Sequence, residues 1–376
     1  MIADYSNDPR IVLTLDGGGT NFRFSATQGN RPIIKTIALP SSGHDLERCL
    51  ANIVEGFSRA REQCPQSPTA ISFAFPGPAD YPNGVIGDLQ HLPAFRGGVA
   101  VGPMLEERFG LPVFINNDGD LFAYGEAIAG FLPYVNGLLE KAGNPKRYNN
   151  LFGVTLGTGF GGGIVRNGEL FLGDNSLGAE IWLLRNKLNP QIRVEEVAGI
   201  RGVRQFYAEK AGIPFEESPE PRVLFAIGHG EHPGDKAAAL DAFRQLGEVV
   251  GDAMGQALTI VDGLAVVGGG LSGAWPLFSP ALMAELNSTY ASVHENRVRR
   301  LIPEAFDLEN AEELHKFLQP AMRDISVPHS SRAAKYDASP RIGVGLSRLG
   351  TSEAVAIGAY AFALRKLDEE LRRNRK

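Results

Sequence analysis

Three times in this chain an apolar, strand-forming run ends in adjacent glycines. Ile11-Val12-Leu13-Thr14-Leu15 leads into Asp16-Gly17-Gly18-Gly19-Thr20, Leu151 to Leu156 into Gly157 to Gly163, and Leu264 to Val267 into Gly268-Gly269-Gly270. Adjacent glycines have no Cβ, reach φ > 0 freely and let backbone N–H groups approach an anion closely. One such triplet reads equally well as a tight turn. Three, each after a buried-type strand, favour contact with phosphate or a nucleotide. Glycine supplies 45 of the 376 residues, about 12 % against a usual ~7 %, and eleven of the 45 stand in these clusters. No Gly-X-Y period exists, and with 43 % hydrophobic and 21 % charged residues the chain can bury a core.

At ~100–200 residues per domain, this length implies two domains or three. A net charge of −6 and a pI near 5.7 argue against bulk nucleic-acid binding. The basic end, Leu371 to Lys376, reads as a solvated helix terminus. No apolar run approaches the ~18–20 residues of a membrane span, and Met1 to Arg10 does not read as a signal peptide. Cys49 and Cys64 supply neither a disulfide framework nor a four-ligand zinc site. The expectation is a reduced, cytoplasmic protein without nucleic-acid or membrane partners.

After the first glycine turn, residues 21–27 and 31–38 read as strands separated by a turn at 28–31. Leu46, Leu50, Ile53, Val54 and Phe57 mark an amphipathic helix. Residues 70–75 read as a strand halted by Pro76-Gly77-Pro78, 99–109 as a helix, 113–115 as a strand and 118–129 as a helix. Residues 131–150 look like an irregular connection. The second half again opens strand, glycine turn, strand: Leu151 to Leu156, Gly157 to Gly163, then Ile164-Val165-Arg166 before the turn Asn167-Gly168. Lys236 to Val261 is a long helix, Leu264 to Val267 a strand, Pro280 onward helical, and Glu353 to Arg373 a closing helix with Ser352 as N-cap. The repeated opening suggests an internal duplication. Residues 295–350 receive no role.

Gly157-Thr158-Gly159-Phe160-Gly161-Gly162 satisfies G-x-G-x-x-G after a strand. A dinucleotide fold needs a helix to start there, with its N-terminus toward the pyrophosphate. Here residues 163–171 read as a hairpin, which disfavours that fold, and no Gly-Lys-Ser/Thr P-loop is present.

Phosphate-cradling hairpins are the device of the actin, heat-shock chaperone and hexokinase superfamily. Within it the chain resembles the ROK family of sugar kinases and sugar-responsive regulators. Leu15-Asp16-Gly17-Gly18-Gly19-Thr20-Asn21 is similar to the family's first phosphate motif, and Asn116 to Glu126 to its N-D-A-N-x-x-A-x-G-E. Leu156 to Ile164 resembles the second phosphate loop, and Val266 to Ser272 the adenosine motif. These segments cover roughly residues 11–275 in order, and Ala354 to Ala361 resembles the closing helix.

The resemblance implies an α/β fold of two actin-like, ribonuclease H-like lobes with a central cleft. Residues 1–125 would form the small lobe, with helix 352–376 returning to it, and 126–351 the large lobe. It implies ATP-dependent phosphorylation of a hydroxyl on a hexose or N-acetylated amino sugar. Asp118 is then the general base, although on the residues alone it also reads as a helix cap. By the same resemblance Asp16 sits beside the phosphates and holds Mg²⁺ through water. Gly17, Gly18, Gly19, Thr20, Asn21, Gly157, Thr158 and Gly159 would line the phosphates, and Gly268, Gly269 and Gly270 the adenosine. Gly77, Asn117, Asp118, Glu180 and Glu195 would meet the sugar. His91, standing where the family has asparagine, would join them or be a loop histidine.

The chain departs from the family at two places. Leu183, preceded by Trp182, occupies the position of a histidine that in the family touches sugar and ligates zinc. Residues 186–193 replace the family's cysteine motif without a cysteine, so no structural zinc is expected. The alternative is a non-catalytic, sugar-sensing protein of this type. A DNA-binding repressor is not expected, because only ten residues precede the first strand. Self-association as a homodimer stays open, as does the identity of the sugar.

Overall fold

The computed structural model describes residues 4–17, 21–77, 79–87, 93–293 and 296–374. The chain forms two compact units: unit 1 comprises Met1–Gly130, Gly163–Ala179 and Arg348–Lys376, and unit 2 comprises Phe131–Gly162 and Glu180–Ser347. Against the boundaries expected after residues 125 and 351, unit 1 also takes in 126–130, 163–179 and 348–351.

Unit 1 opens with β1 (Val12–Gly17), whose apolar run is buried through Leu15. It turns into β2 (Asn21–Gln28), then β3 (Arg31–Pro32) and β4 (Ile37–Pro40). The expected strand 31–38 is thus two short ones: Ile33 still donates to the Ala26 carbonyl at 2.8 Å, and pairing with β2 then resumes at Ile37 in a register shifted by two residues. Helix α1 (Leu46–Glu62) starts at Asp45, whose carboxylate accepts the Arg48 N–H at 3.1 Å. It buries Cys49, Ile53 and Phe57 on the sheet, with the Phe57 ring edge-on to Phe24 at 5.1 Å.

Next come β5 (Ala70–Ala74), the short pair β6 (Val85–Ile86) and β7 (Val99–Ala100), α2 (Val101–Phe109), β8 (Val113–Asn116) and α3 (Asp118–Ile128). The sheet order is β3-β2-β1-β5-β8, with β1, β5 and β8 parallel and β4 on β2. Parallel strands β1 and β8 therefore deliver Asp16 and Asp118 from the same end of one sheet.

Unit 2 begins with α4 (Phe131–Lys141), a correction to the irregular connection expected over 131–150. Pro133 lies in the first turn, where its missing N–H has no helical partner to lose. Phe131, Leu132, Val135 and Leu139 form the buried face. Then follow β9 (Leu151–Leu156), β10 (Phe160–Arg166) and β11 (Glu169–Phe171). The chain passes from unit 2 to unit 1 within β10, at Gly162–Gly163. Asn167 and Gly168 both have positive φ, 53° and 76°, as a two-residue hairpin turn demands, and Ile164 pairs with Phe171.

Back in unit 2 come α5 (Ile200–Ala211), α6 (Pro221–His229), α7 (Lys236–Val261), β12 (Leu264–Gly268) and α8 (Trp275–Leu286). Helix α8 starts at Trp275, earlier than the expected Pro280, with a proline in its first turn. The region without an assigned role, 295–350, forms regular elements over its described residues. It holds β14 (Val298–Arg299), paired with β13 (Thr289–Tyr290), then β15 (Glu304–Asp307) and α9 (Ala311–Leu318). An exposed hairpin follows, β16 (Met322–Ser326) with β17 (Ala333–Asp337), and then β18 (Arg341–Leu346). Strands β9, β12, β18 and β15 lie side by side, all parallel.

Among the helices a buried ion cluster joins α7 to α8. The Arg300 guanidinium pairs with Asp252 at 2.7 Å and with Glu285, and Lys187 reaches Glu285 at 2.6 Å and Glu248 at 3.0 Å.

Helix α10 (Thr351–Arg373) returns to unit 1. Its N-cap is Gly350, with φ 80°, and not the expected Ser352, which lies inside the helix. It crosses α3 at contact distance. A Cβ on Gly125 would stand 1.9 Å from the Ala354 carbonyl, and one on Gly358 would stand 1.9 Å from that of Leu121. Glu126 fastens the approach to α10, its carboxylate accepting the N–H groups of Arg348 and Leu349 at 3.3 and 3.2 Å. Among the described residues no helix is long and apolar enough to cross a membrane.

Candidate active site

In unit 1, β8 ends at the buried Asn116, and Asn117 caps α3, its side-chain oxygen accepting the Gly119 N–H at 2.8 Å. That bond turns the Asn117 amide nitrogen toward the Tyr81 hydroxyl, 3.4 Å away, and the hydroxyl donates to the Phe75 carbonyl at 3.0 Å. Gly77 lies in the same corner: a Cβ there would meet the Tyr81 hydroxyl at 2.4 Å. Gly77, Asn117 and Asp118 are thus brought together, with Tyr81, which sequence reasoning missed, joining the first two.

Asp118 is the first residue of α3 and takes the Gly119 N–H on Oδ1 at 2.9 Å. Its side chain has an open, solvent-facing side, but the protein packed around it desolvates the carboxylate and raises its pKa. The charge of Asp16 adds to the rise, and the backbone N–H bonds oppose it. The positive end of α3 favours the anion but does not reverse the rise. Strand β10 closes on this turn through Gly163, where a Cβ would stand 2.4 Å from the Gly119 carbonyl. Asp16 and Gly17 end β1 half-buried, and Asn21 opens β2 exposed. Gly18, Gly19, Thr20 and His91 lie outside the described residues.

In unit 2, Gly157, Thr158 and Gly159 turn between β9 and β10, closed by the Gly157 N–H on the Gly159 carbonyl at 3.0 Å. Glu195 braces this turn, its Oε2 accepting the Phe160 N–H at 3.2 Å. From the other side Ile200, at the start of α5, donates to the Gly157 carbonyl at 2.9 Å. Thr158 stays exposed and Gly157 has open space where a side chain would be. Glu180 precedes a short 3₁₀ turn, Ile181–Leu183, and accepts from the Trp182 indole N–H. Leu183, at the family's histidine position, points outward with 56 % exposure.

Strand β12 delivers Gly268 buried, Gly269 at φ +89° and Gly270 with open space before it. Beyond it runs a groove of about 900 Å³, whose lining includes Ser272, Trp275, Asp307, Asn310 and Glu313. The Trp275 indole donates to Asp307 at 3.1 Å, and Glu313 accepts the Asp307 N–H at 2.6 Å. Burial raises the Asp307 pKa, with Glu313 and Glu309 adding to the effect. These acidic residues come from the segment that the sequence left without a role. Their only signal was Asn310 followed by Glu312-Glu313, which reads as a helix start.

A family model described as the ROK family matches residues 12–182. The crystal structure of a glucokinase from Parabacteroides distasonis superimposes with a TM-score of 0.87 at 49 % identity, covering 96 % of this chain and 99 % of that one. The chain belongs to the ROK family. A glucokinase of Thermotoga maritima is 25 % identical over 292 residues, 72 % of this chain and 86 % of that protein. A ROK family glucokinase from Streptomyces griseus, crystallised with glucose and AMPPNP, shares the fold at a TM-score of 0.58 and 18 % identity, covering 93 % of this chain and 98 % of that one. The α/β fold is therefore that of the ROK actin-like kinases.

Proposed function

We propose that the protein is an ATP-dependent sugar kinase, transferring a phosphoryl group to a hydroxyl of a hexose or N-acetylated amino sugar. The observation that carries this reading is the 49 % identity to a glucokinase across nearly the whole length of both chains. The glucose and AMPPNP held by the Streptomyces griseus family member support both substrates. ROK membership is in keeping with it, and Asp118 at the start of α3 supplies a carboxylate suited to the chemistry.

In this reading Asp118 accepts the proton of the acceptor hydroxyl as its oxygen bonds to the γ-phosphorus. The bridging bond to the β-phosphate breaks and ADP leaves. Asn117, held by its cap bond and by Tyr81, orients the sugar, and Gly77 leaves room for it. Gly157, Thr158 and Gly159 present N–H groups and a hydroxyl to phosphate oxygens, and Gly268 to Gly270 form a shelf for adenosine beside the acidic groove. Ribose hydroxyls, which donate, suit the carboxylates there. The half-exposed carboxylate oxygens of Asp16 fit a hard divalent cation, directly or through water. Mg²⁺ bound there would neutralise phosphate charge. Glu180 and Glu195 complete the sugar contacts. In segment 186–193, Asn186 and Lys187 supply the anchoring contacts, and no structural zinc is invoked.

The test is a coupled ADP-release assay with Mg²⁺ over D-glucose, N-acetyl-D-glucosamine, D-mannose and D-fructose. Sugar-dependent turnover that disappears in Asp118→Asn is expected. Absence of turnover with every sugar, alongside measurable sugar binding, would replace the kinase by a sugar-sensing protein.

A further inference from the structure

Between Glu180 and Glu195 the backbone leaves and returns as a closed loop. The Val194 N–H donates to the Leu184 carbonyl at 2.7 Å, Asn186 N–H to the Ile192 carbonyl at 3.1 Å, and Arg185 bridges Arg193 antiparallel. Buried Asn186 accepts the N–H groups of Leu188 and Asn189, fixing the tip, and Lys187 ties the loop to Glu248 and Glu285. The closed base brings the Arg193 guanidinium over the Trp182 ring, 4.8 Å from its centroid.

Each partner of that stack also reaches toward a carboxylate, Trp182 by a hydrogen bond to one and Arg193 by ion pairs to two. The Trp182 indole N–H bonds Glu180, while Arg193 lies 3.6 Å from Glu195 Oε1 and is itself steadied by Glu196 at 2.9 Å. Glu195 uses its other oxygen on the Phe160 N–H beside the glycine turn. The contacts run unbroken: Glu180, Trp182, Arg193, Glu195, Phe160. Indole and guanidinium are suited to these places, because each offers a flat face for stacking and an N–H at its edge for a carboxylate.

We propose that Trp182 and Arg193 are positioning residues that hold Glu180 and Glu195 as one preorganised carboxylate pair for the sugar. The inference rests on the reading of those two glutamates as sugar contacts. Trp182 and Arg193 are partly exposed, so their effect falls on the orientation of the carboxylates more than on folding.

The experiment uses the full chain with D-glucose as probe, or N-acetyl-D-glucosamine where that is turned over faster. Trp182→Phe keeps the ring and removes the N–H; Arg193→Met removes the stacked charge. Each is expected to raise the sugar KM roughly tenfold, with the ATP KM within twofold and the melting temperature retained. Arg193→Lys does not rescue, since an ammonium lacks the planar fork. The double variant is expected to fall short of the product of the two effects, because the pair acts as one unit. Sugar KM values within twofold of wild type in both single variants, while Glu180→Gln raises KM strongly, would overturn the positioning role alone. If Glu180→Gln and Glu195→Gln also leave the sugar KM unmoved, the sugar reading of these glutamates falls and the inference with it.

Discussion

Asp16 and Asp118 are delivered from the ends of parallel strands in one sheet, and the burial that raises the Asp118 pKa is reinforced by the negative charge of Asp16. Desolvation is the larger of the two effects. As the proposed general base, an Asp118 carboxylate raised above the usual ~4 is better matched to taking a proton near neutrality than an ordinary aspartate.

Asp118→Asn should therefore lower kcat by about 10²–10⁴-fold, the usual worth of a general base, with ATP and sugar affinity nearly retained. Steady-state kinetics with parallel calorimetric titrations separates the two quantities. A variant with unimpaired kcat would remove Asp118 from the mechanism.

The same substitution should not destabilise the protein. A carboxyl whose folded pKa is raised holds its proton more readily when folded than when unfolded. Its contribution to stability thus declines as pH climbs from the unfolded value through the folded one. Above both, the ionised Asp118 is a fixed cost that asparagine lacks. Thermal melts at pH 7 should find Asp118→Asn at least as stable as wild type, with the difference shrinking as the pH falls below the carboxylate range.

In the pH profile, the acid limb of kcat should lie above the ordinary aspartate value of ~4. Asp16→Asn removes the neighbouring charge, so the Asp118 carboxyl, followed by ¹³C NMR, should titrate at lower pH in that variant. An unchanged titration would mean that the two groups do not sense each other.

Gly269 and Gly270 should separate under alanine substitution. A methyl at Gly269 meets a φ of +89° and the Leu156 carbonyl at 2.2 Å, so Gly269→Ala should lose ~1–3 kcal/mol or more of stability in urea titration. Gly270 faces open space. Gly270→Ala should melt like wild type yet raise the ATP KM several-fold, as a shelf for adenosine requires.

Arg300→Met should cost up to about 3–5 kcal/mol, because it removes the buried cation between Asp252 and Glu285, leaving Asp252 without an ion-pair partner and Glu285 with Lys187 alone. Urea denaturation measures this directly, and Lys187→Met, at a half-exposed position, should cost less.

Features written in consecutive residues are legible from the sequence alone. The strands ending in glycine, the β10–β11 hairpin and the start of α3 at Asp118 all depend on neighbours a few positions away. Helix α4 is hidden because Pro133 and two glycines resemble a loop, although the proline falls in the one turn that tolerates it. The stack of Arg193 on Trp182 and the bond of Trp275 to Asp307 depend on chain closure over longer distances. Periodicity carries no record of such meetings. Nor does composition foretell that the acidic lining of the groove comes from residues 307–313.

The crossing of α10 on α3 also sets a schedule. The backbone beneath Asp118 is pressed by Ala354 and faces Gly358, residues made long after it during synthesis. At ~5–20 residues per second the ribosome needs on the order of ten to fifty seconds to travel between them. For that interval the nascent chain carries Asp118 on a helix that still lacks its α10 neighbour. The last helix to be made is thus the one that completes the packing beneath Asp118.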